Sequence, residues 1–301
     1  MKKWIFGIVV LILLVYGLNV IQQPGETEGK AAKPPANAPN QQQPEADFTS
    51  LTIDREDIYR GDLLLINLQY PVSEQTEVPD VVNLFEHQEL VKGFGILDQD
   101  IKLPMEMLEW FTDMMESAMA DGVNHFLINS GYRDNEEQAL LYEQLGSVYA
   151  KPPGYSEHNL GLSLDLGSSL GLMKDAPEGK WLQENAWKHG FVLRYPENKT
   201  EVTGVIYEPW HFRYVGLPHS AIMQERGMVL EEYLTYLKVQ KRVQTVVDGK
   251  AYEVSYYPVR SAAKLSVPIK GNYSLSGNNM DGVILTTWDT GSPSDREAGS
   301  R

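Results

Sequence analysis

Residues 154–167, GYSEHNLGLSLDLG, constrain the local backbone of this chain more than any other stretch. Gly161 follows His158 by three positions and permits a tight bend. Leu162, Ser163, Leu164 and Asp165 then alternate apolar and polar, the period of a half-buried strand, so Ser163 and Asp165 share one face. An aspartate on that face can point back at a histidine that opens the bend. A histidine and a carboxylate brought together in this way are candidate metal ligands.

The 301 residues include no cysteine. A disulfide framework, a thiolate zinc site and a lipid-bearing N-terminal cysteine are therefore excluded. Export is not, because many exported chains lack disulfides. Any zinc must be held by histidine and carboxylate. A catalytic zinc takes three protein ligands and leaves one position open. Six histidines are available: His87, His125, His158, His189, His211 and His219. A histidine taken singly is more often a core or surface residue than a ligand, so context has to choose among them.

The second informative context is Glu208-Pro209-Trp210-His211. Pro209 and the β-branched and aromatic neighbours argue against a helix, so this is not the helical HExxH arrangement. A turn through Pro209 can still bring Glu208 beside a metal held by His211. A carboxylate next to the metal, and not on it, suits a general base. Trp210 is expected in the core. Arg213 is expected to pair with a buried carboxylate.

The formal net charge of −15 leaves no broad basic patch to neutralise phosphates, which argues against nucleic acid as a partner. Lys2 and Lys3 precede an uncharged apolar run, residues 4–21. Eighteen helical residues span roughly 27 Å, close to the ~30 Å hydrocarbon core of a bilayer. The lysines should stay cytoplasmic, with the body of the protein outside. A cleaved signal peptide is the alternative, but no small-x-small cleavage pattern follows the run. Residues 1–23 are thus read as cytoplasmic tip and transmembrane anchor. Residues 24–50, rich in Pro, Gln, Ala and Asn, cannot bury enough surface to fold and form an extended linker.

Folded structure is expected over 51–240. Residues 63–66, LLLI, read as a short buried strand or turn. Residues 104–120 read as an amphipathic helix with Met107, Leu108, Phe111, Met114, Met115 and Ala118 on one face. Residues 123–129 are strand-like and lead into Ser130-Gly131-Tyr132-Arg133; Asn135 can cap the helix that follows, through Gly146. Arg133 thus sits at a strand-to-helix connection, a common place for a binding residue. Residues 181–189 read as a short helix, 202–215 as β-rich, and 218–239 as one longer helix. From Lys241 the texture becomes β-rich, with Asp248-Gly249 as a hairpin signal, so 241–301 is read as a small β-rich C-terminal module.

In combination, SGYRDNEEQ, GYSEHNLGLSLDLG, ENAWKHGF and YEPWHFRYVG resemble the zinc D-Ala-D-Ala carboxypeptidase and dipeptidase family, and within it the VanY type. The resemblance runs from about Val123 to Val215. It implies an α+β fold, an antiparallel sheet with flanking helices, carrying a His/Asp/His zinc site. It implies His158, Asp165 and His211 as ligands of Zn²⁺, Glu208 as catalytic base, and Arg133 as the group that stabilises the oxyanion or holds the substrate. Ser156 and Gln138 match positions near the terminal carboxylate of the substrate. That substrate would be a peptidoglycan precursor stem peptide ending in D-Ala-D-Ala, met outside a membrane to which the N-terminal helix anchors the protein. Removing the terminal D-Ala deletes the target of glycopeptides, hence a resistance role. The oligomeric state is not implied.

The rival readings are an L,D-carboxypeptidase trimming tetrapeptide stems, a D,D-dipeptidase acting on the free dipeptide, and a non-catalytic wall-binding protein with a structural metal. A serine mechanism is rejected. Ser261-Ala-Ala-Lys264 and Ser276-Gly-Asn278 imitate the motifs of serine penicillin-binding enzymes, but they lie fifteen positions apart in the β-rich tail.

Overall fold

The computed structural model describes residues 48–288 apart from 78, 148, 270 and 271. The anchor of 1–23 and most of the 24–50 linker lie outside the described residues. Among those described, no helix is long and apolar enough to cross a membrane. Regular structure begins inside the stretch read as linker, with β1 (Phe48–Ile53).

Three short strands follow, β2 (Val81–Asn83), β3 (Gly95–Ile96) and β4 (Lys102–Pro104), and then helix α1 (Met105–Ala120). The apolar stripe of α1 is fully buried at Met107, Leu108, Phe111, Met114, Met115 and Ala118, as its spacing requires. That stripe packs on Phe126, Ile128, Leu164, Leu166, Phe191 and Phe212 of a central sheet. Each such side chain contributes about 1.5–3 kcal/mol by leaving water.

The central sheet adds β5 (Phe126–Ser130), β6 (Ser163–Ser168), β7 (Phe191–Leu193) and β8 (His211–Tyr214), in the order β3-β5-β6-β8-β7. All its pairs are antiparallel except β3 with β5. The expected α+β fold is present. Of the stretch 202–215, read as β-rich, only β8 is strand. Thr200–Thr203 forms a short helix, α4 below, and 208–211 is a turn in which the His211 N–H donates to the Glu208 carbonyl at 3.2 Å. Pro209 has no N–H to give a ladder, which keeps the strand from starting earlier.

The remaining helices are α2 (Asn135–Leu145), α3 (Pro177–Asn185), α4 (Thr200–Thr203), α5 (His219–Arg226) and α6 (Leu230–Gln240). Asp134, rather than Asn135, caps α2: its carboxylate accepts from Glu137 N at 2.8 Å while Glu137 accepts from Asp134 N at 3.0 Å. An Asp with Glu three positions on is a reciprocal capping box. Helix α3 starts earlier than expected, with Pro177 in its first turn, and a 3-10 turn at Ala186–His189 completes it. The single helix expected over 218–239 is two, because Gly227 takes a left-handed conformation at φ +61°.

The β-rich segment contains five strands: β9 (Arg242–Val247), β10 (Lys250–Pro258), β11 (Ala263–Pro268), β12 (Tyr273–Gly277) and β13 (Gly282–Trp288). Four make an antiparallel sheet in the order β12-β13-β10-β9. β11 pairs instead with β1, from Phe48 opposite Pro268 to Ile53 opposite Ala263. The described residues accordingly belong to one compact unit. The 63–66 segment is buried and leaves a turn at Leu63 without forming a strand. Leu63 N donates to Ser276 Oγ at 2.8 Å, and Asn279 Nδ2 donates to the Leu65 and Pro71 carbonyls at 2.9 and 2.8 Å. Ser276 and the residues after it are therefore structural fasteners, in keeping with rejection of the serine mechanism. Leu63 and Leu65 share a core with α5, α6, Val254, Tyr256 and Ile284.

Candidate metal centre and cleft

The site is built where β5, β6 and β8 lie side by side. Asp165 is in register with His211 on β8 and with Ser130 on β5. Directly opposite residues on antiparallel strands carry their Cβ atoms about 5 Å apart. His211 Nδ1 thus lies 2.9 Å from Asp165 Oδ1.

His158 arrives from a 3-10 turn, Glu157–Leu160, that leads into β6. Ser156 caps this turn, its Oγ accepting from His158 N at 3.4 Å. Gly161 ends the turn at φ +71°, and a Cβ there would stand 2.6 Å from Pro104 Cγ. Only glycine fits both demands, so the bend read from the sequence exists. It sets His158 Nε2 at 3.3 Å from Asp165 Oδ2, while His158 Nδ1 donates to the Gly131 carbonyl at 2.7 Å. The ligating atoms of His158, Asp165 and His211 lie within 4.8 Å of one another, the one such group among the described residues.

This cluster fits zinc. Two imidazoles and one carboxylate, with no thiolate, make a catalytic donor set. Each histidine has its outer nitrogen engaged, His158 with Gly131 and His211 with Glu157, and turns the other toward the shared carboxylate. That outer hydrogen bonding fixes a ligand's tautomer. Burial alone would raise the Asp165 carboxyl, but His158 and His211 hold it well below the usual carboxylate range. Burial pushes the His158 imidazole down, and the Arg133 charge adds to this.

Above the cluster lies a cleft of about 540 Å³ lined by Arg133, Tyr149, Ser156, Ile206, Glu208 and Trp210, among others. The Glu208 carboxylate stands 3.9 Å from His211 Nδ1. Burial raises its pKa against the opposing pull of His211, as a proton acceptor working near neutral pH requires. Arg133 Nε donates to Gln138 Oε1 at 2.9 Å, and its Nη1 donates to Ser130 Oγ. Burial lowers the Arg133 pKa, offset by Asp165, Glu137 and Glu208.

All seven residues predicted from the sequence therefore meet at one cleft. One of the seven, Gln138, and an eighth residue, Trp210, have surroundings to note. Gln138 lines the cleft but is buried, with both ends of its amide engaged, by Arg133 and by the Lys151 carbonyl at 2.7 Å. Trp210, expected in the core, is 40% exposed and lines the cleft. The turn at 208–211 swings it out of the sheet.

Residues 100–217 match the family model "VanY: D-alanyl-D-alanine carboxypeptidase". A D-alanyl-D-alanine carboxypeptidase of Enterococcus faecium is 49% identical over 294 residues, 96% of this chain and 97% of the relative. The chain belongs to the VanY family. Among solved structures, the vancomycin-resistance D,D-dipeptidase VanXYg, in complex with a D-Ala-D-Ala phosphinate analogue, is 30% identical at a TM-score of 0.68, covering 80% of this chain and 99% of that one. The LdcB LD-carboxypeptidase is 28% identical at a TM-score of 0.50, covering 61% of this chain and 96% of that one. The VanY model ends two residues past Val215, so the strands from β9 onward lie outside it.

Sequence reasoning missed Glu157. Its side chain is wholly buried and touches both His211 and two buried arginines, Arg194 and Arg213. The arginines are 37 and 56 positions away, and nothing local announces them. Arg213 does take the structural role expected of it.

Proposed function

We propose that this chain is a membrane-anchored zinc D,D-carboxypeptidase that removes the C-terminal D-Ala from peptidoglycan pentapeptide precursors and so contributes to glycopeptide (vancomycin) resistance. The observation that carries the reading is the convergence of His158, Asp165 and His211 beneath a cleft that also presents Glu208 and Arg133. Membership of the VanY family supports the same chemistry.

Zinc held by the three ligands supplies a Lewis acid that makes water acidic near neutral pH and polarises a carbonyl. Glu208, half-buried at the cluster, takes the proton from the attacking water at its carboxylate and returns it to the departing amine. The Arg133 guanidinium, held by Gln138 and Ser130, meets the negative charge that grows on the carbonyl oxygen. Ser156 at the cleft wall is a donor within the same space for the substrate's terminal carboxylate. The charge-free run at 4–21, preceded by Lys2 and Lys3, supports an outward-facing domain where stem peptides are assembled.

The test is release of D-Ala by the full-length, zinc-loaded protein from three substrates: a pentapeptide stem ending in D-Ala-D-Ala, a tetrapeptide stem, and free D-Ala-D-Ala. The pentapeptide should be cleaved fastest. Preference for the tetrapeptide would assign the L,D activity instead, and binding without any release would assign a wall-binding role. A reporter enzyme active only outside the cell, fused after Arg301, should be active if the anchor orients the chain as proposed.

A further inference from the structure

Three carboxylates stand around His211, and the proposed reaction uses two of them. The third, Glu157, lies one residue before His158, and its side chain has 0% exposure. Its Oε1 accepts from Arg194 Nε at 2.8 Å and from Arg213 Nη1 at 2.8 Å. Its Oε2 lies 3.4 Å from His211 Nε2.

Burying one carboxylate and two guanidinium groups is costly unless each is paired and hydrogen-bonded. Here they are. Arg194 gives its two terminal nitrogens to Glu231 of α6 at 2.9 and 2.7 Å. Arg213 gives three of its four other hydrogens to the Asp62, Leu64 and Tyr214 carbonyls at 2.8, 3.0 and 3.0 Å. The arginines occupy Oε1, and among the described residues Oε2 faces His211.

A carboxylate has no hydrogen to donate, so the imidazole nitrogen facing it must carry one. Nδ1 faces the Asp165 carboxylate in the same way, but a metal held there takes its lone pair, so with zinc bound the one ring hydrogen sits on Nε2, facing Glu157. We propose that Glu157 is a positioning residue of the metal centre, holding the Nε2–H of His211 so that Nδ1 is presented to the zinc. The inference rests on the zinc reading above. It also gives the C-terminal strands a part in the site. Ser276 and Asn279 fix the backbone at Leu63 and Leu65, the neighbours of the carbonyls that hold Arg213.

The experiment compares the full-length protein with its Glu157→Gln and Glu157→Asp variants. Zinc affinity is read by competition with a chromophoric chelator, and ligand geometry by the visible spectrum of the cobalt-substituted proteins. Loss of an outer-sphere partner weakens metal binding about 10–100-fold, and the cobalt bands should shift with it. A folded variant with wild-type zinc affinity and an unchanged cobalt spectrum overturns the proposal. Should neither variant fold, ¹⁵N-histidine spectra of the zinc-loaded wild type decide. One metal-bound histidine should carry Nδ1–H and the other an exchange-protected, downfield Nε2–H; absence of the latter overturns it. A wild type that takes up no zinc overturns the zinc reading as well, whereas normal uptake matched by Glu157→Gln overturns this inference alone.

Discussion

His158 and Asp165, seven positions apart, meet across a single bend with Nε2 3.3 Å from Oδ2. Two of the three ligands of the cluster are therefore local to one turn and one strand. The third, His211, is delivered by strand pairing.

Metal should stabilise the fold through these three residues. At zinc concentrations about 100 times the dissociation constant, binding to the native state alone adds about 2.7 kcal/mol. The wild-type melting temperature should rise on adding Zn²⁺ and fall back on chelation, with activity following it. Asp165→Asn and His211→Ala should show neither the rise nor the activity. A zinc-dependent rise that persists in both variants would place the metal elsewhere.

Glu208→Gln separates chemistry from metal binding. The residue stands beside the cluster and its loss should leave zinc content near wild type while kcat falls about 10²–10⁴-fold, the usual worth of a positioned proton acceptor. Metal analysis alongside steady-state kinetics checks this. Activity within a few-fold of wild type would remove Glu208 from the mechanism.

Gln138→Ala should act through Arg133. Without the amide oxygen, Arg133 Nε loses its partner and the guanidinium loses one of its two side-chain anchors. The expected fall in kcat/KM is about tenfold, or about 1.4 kcal/mol. In an Arg133→Ala background the same change should have almost no further effect, and additive losses would show that Gln138 acts on the substrate by itself.

Acid should loosen the packing of α5 against α6 and β13. His219 is buried among them, with Nδ1 2.7 Å from Tyr233 Oη and Nε2 3.1 Å from Thr286 Oγ1. Burial pushes its pKa down to about 3, and it pushes the Tyr233 phenol up, so no charge faces the ring from either partner. The unfolded chain takes up a proton near pH 6.5, which the folded one refuses until about pH 3. This contribution is therefore present in full above about pH 6.5 and is lost progressively as pH falls toward 3. His219→Gln should flatten the dependence of unfolding free energy on pH in that window, read by denaturant titration at several pH values.

Phe111→Ala should cost about 3–5 kcal/mol, since the ring has 0% exposure and sits in the core between α1 and the central sheet. Urea unfolding measures it, and a cost below about 1 kcal/mol would mean the core closes over the gap.

Local chemistry was legible from the sequence where it depended on neighbours in the chain. The α1 stripe, the bend at Gly161 and the Asp248–Gly249 hairpin, with Asp248 at φ +49°, all follow from spacing and residue type. Long-range partners were not. Nothing in Phe48–Ile53 announces β11 as its mate. Trp210 was misjudged because a tryptophan beside a strand usually packs inward, and the tight turn at Pro209 reverses it. Glu157 stayed hidden because its meaning depends on two distant arginines, Arg194 just past β7 and Arg213 on β8.

The ladder between β1 and β11 has a mechanical consequence. Six registered residue pairs join the point where the described chain begins to a strand near its C-terminal end. A chain held by its N-terminus would take any pull first as shear along that ladder. Its inner face packs into a separate core of Ile53, Leu265 and Val267 with Val283 and Leu285, away from β6 and β8. Were the chain tethered through its N-terminus, as proposed, tension would thus fall on a part of the molecule that holds none of the cluster residues, and the spacing of His158, Asp165 and His211 would be insulated from it.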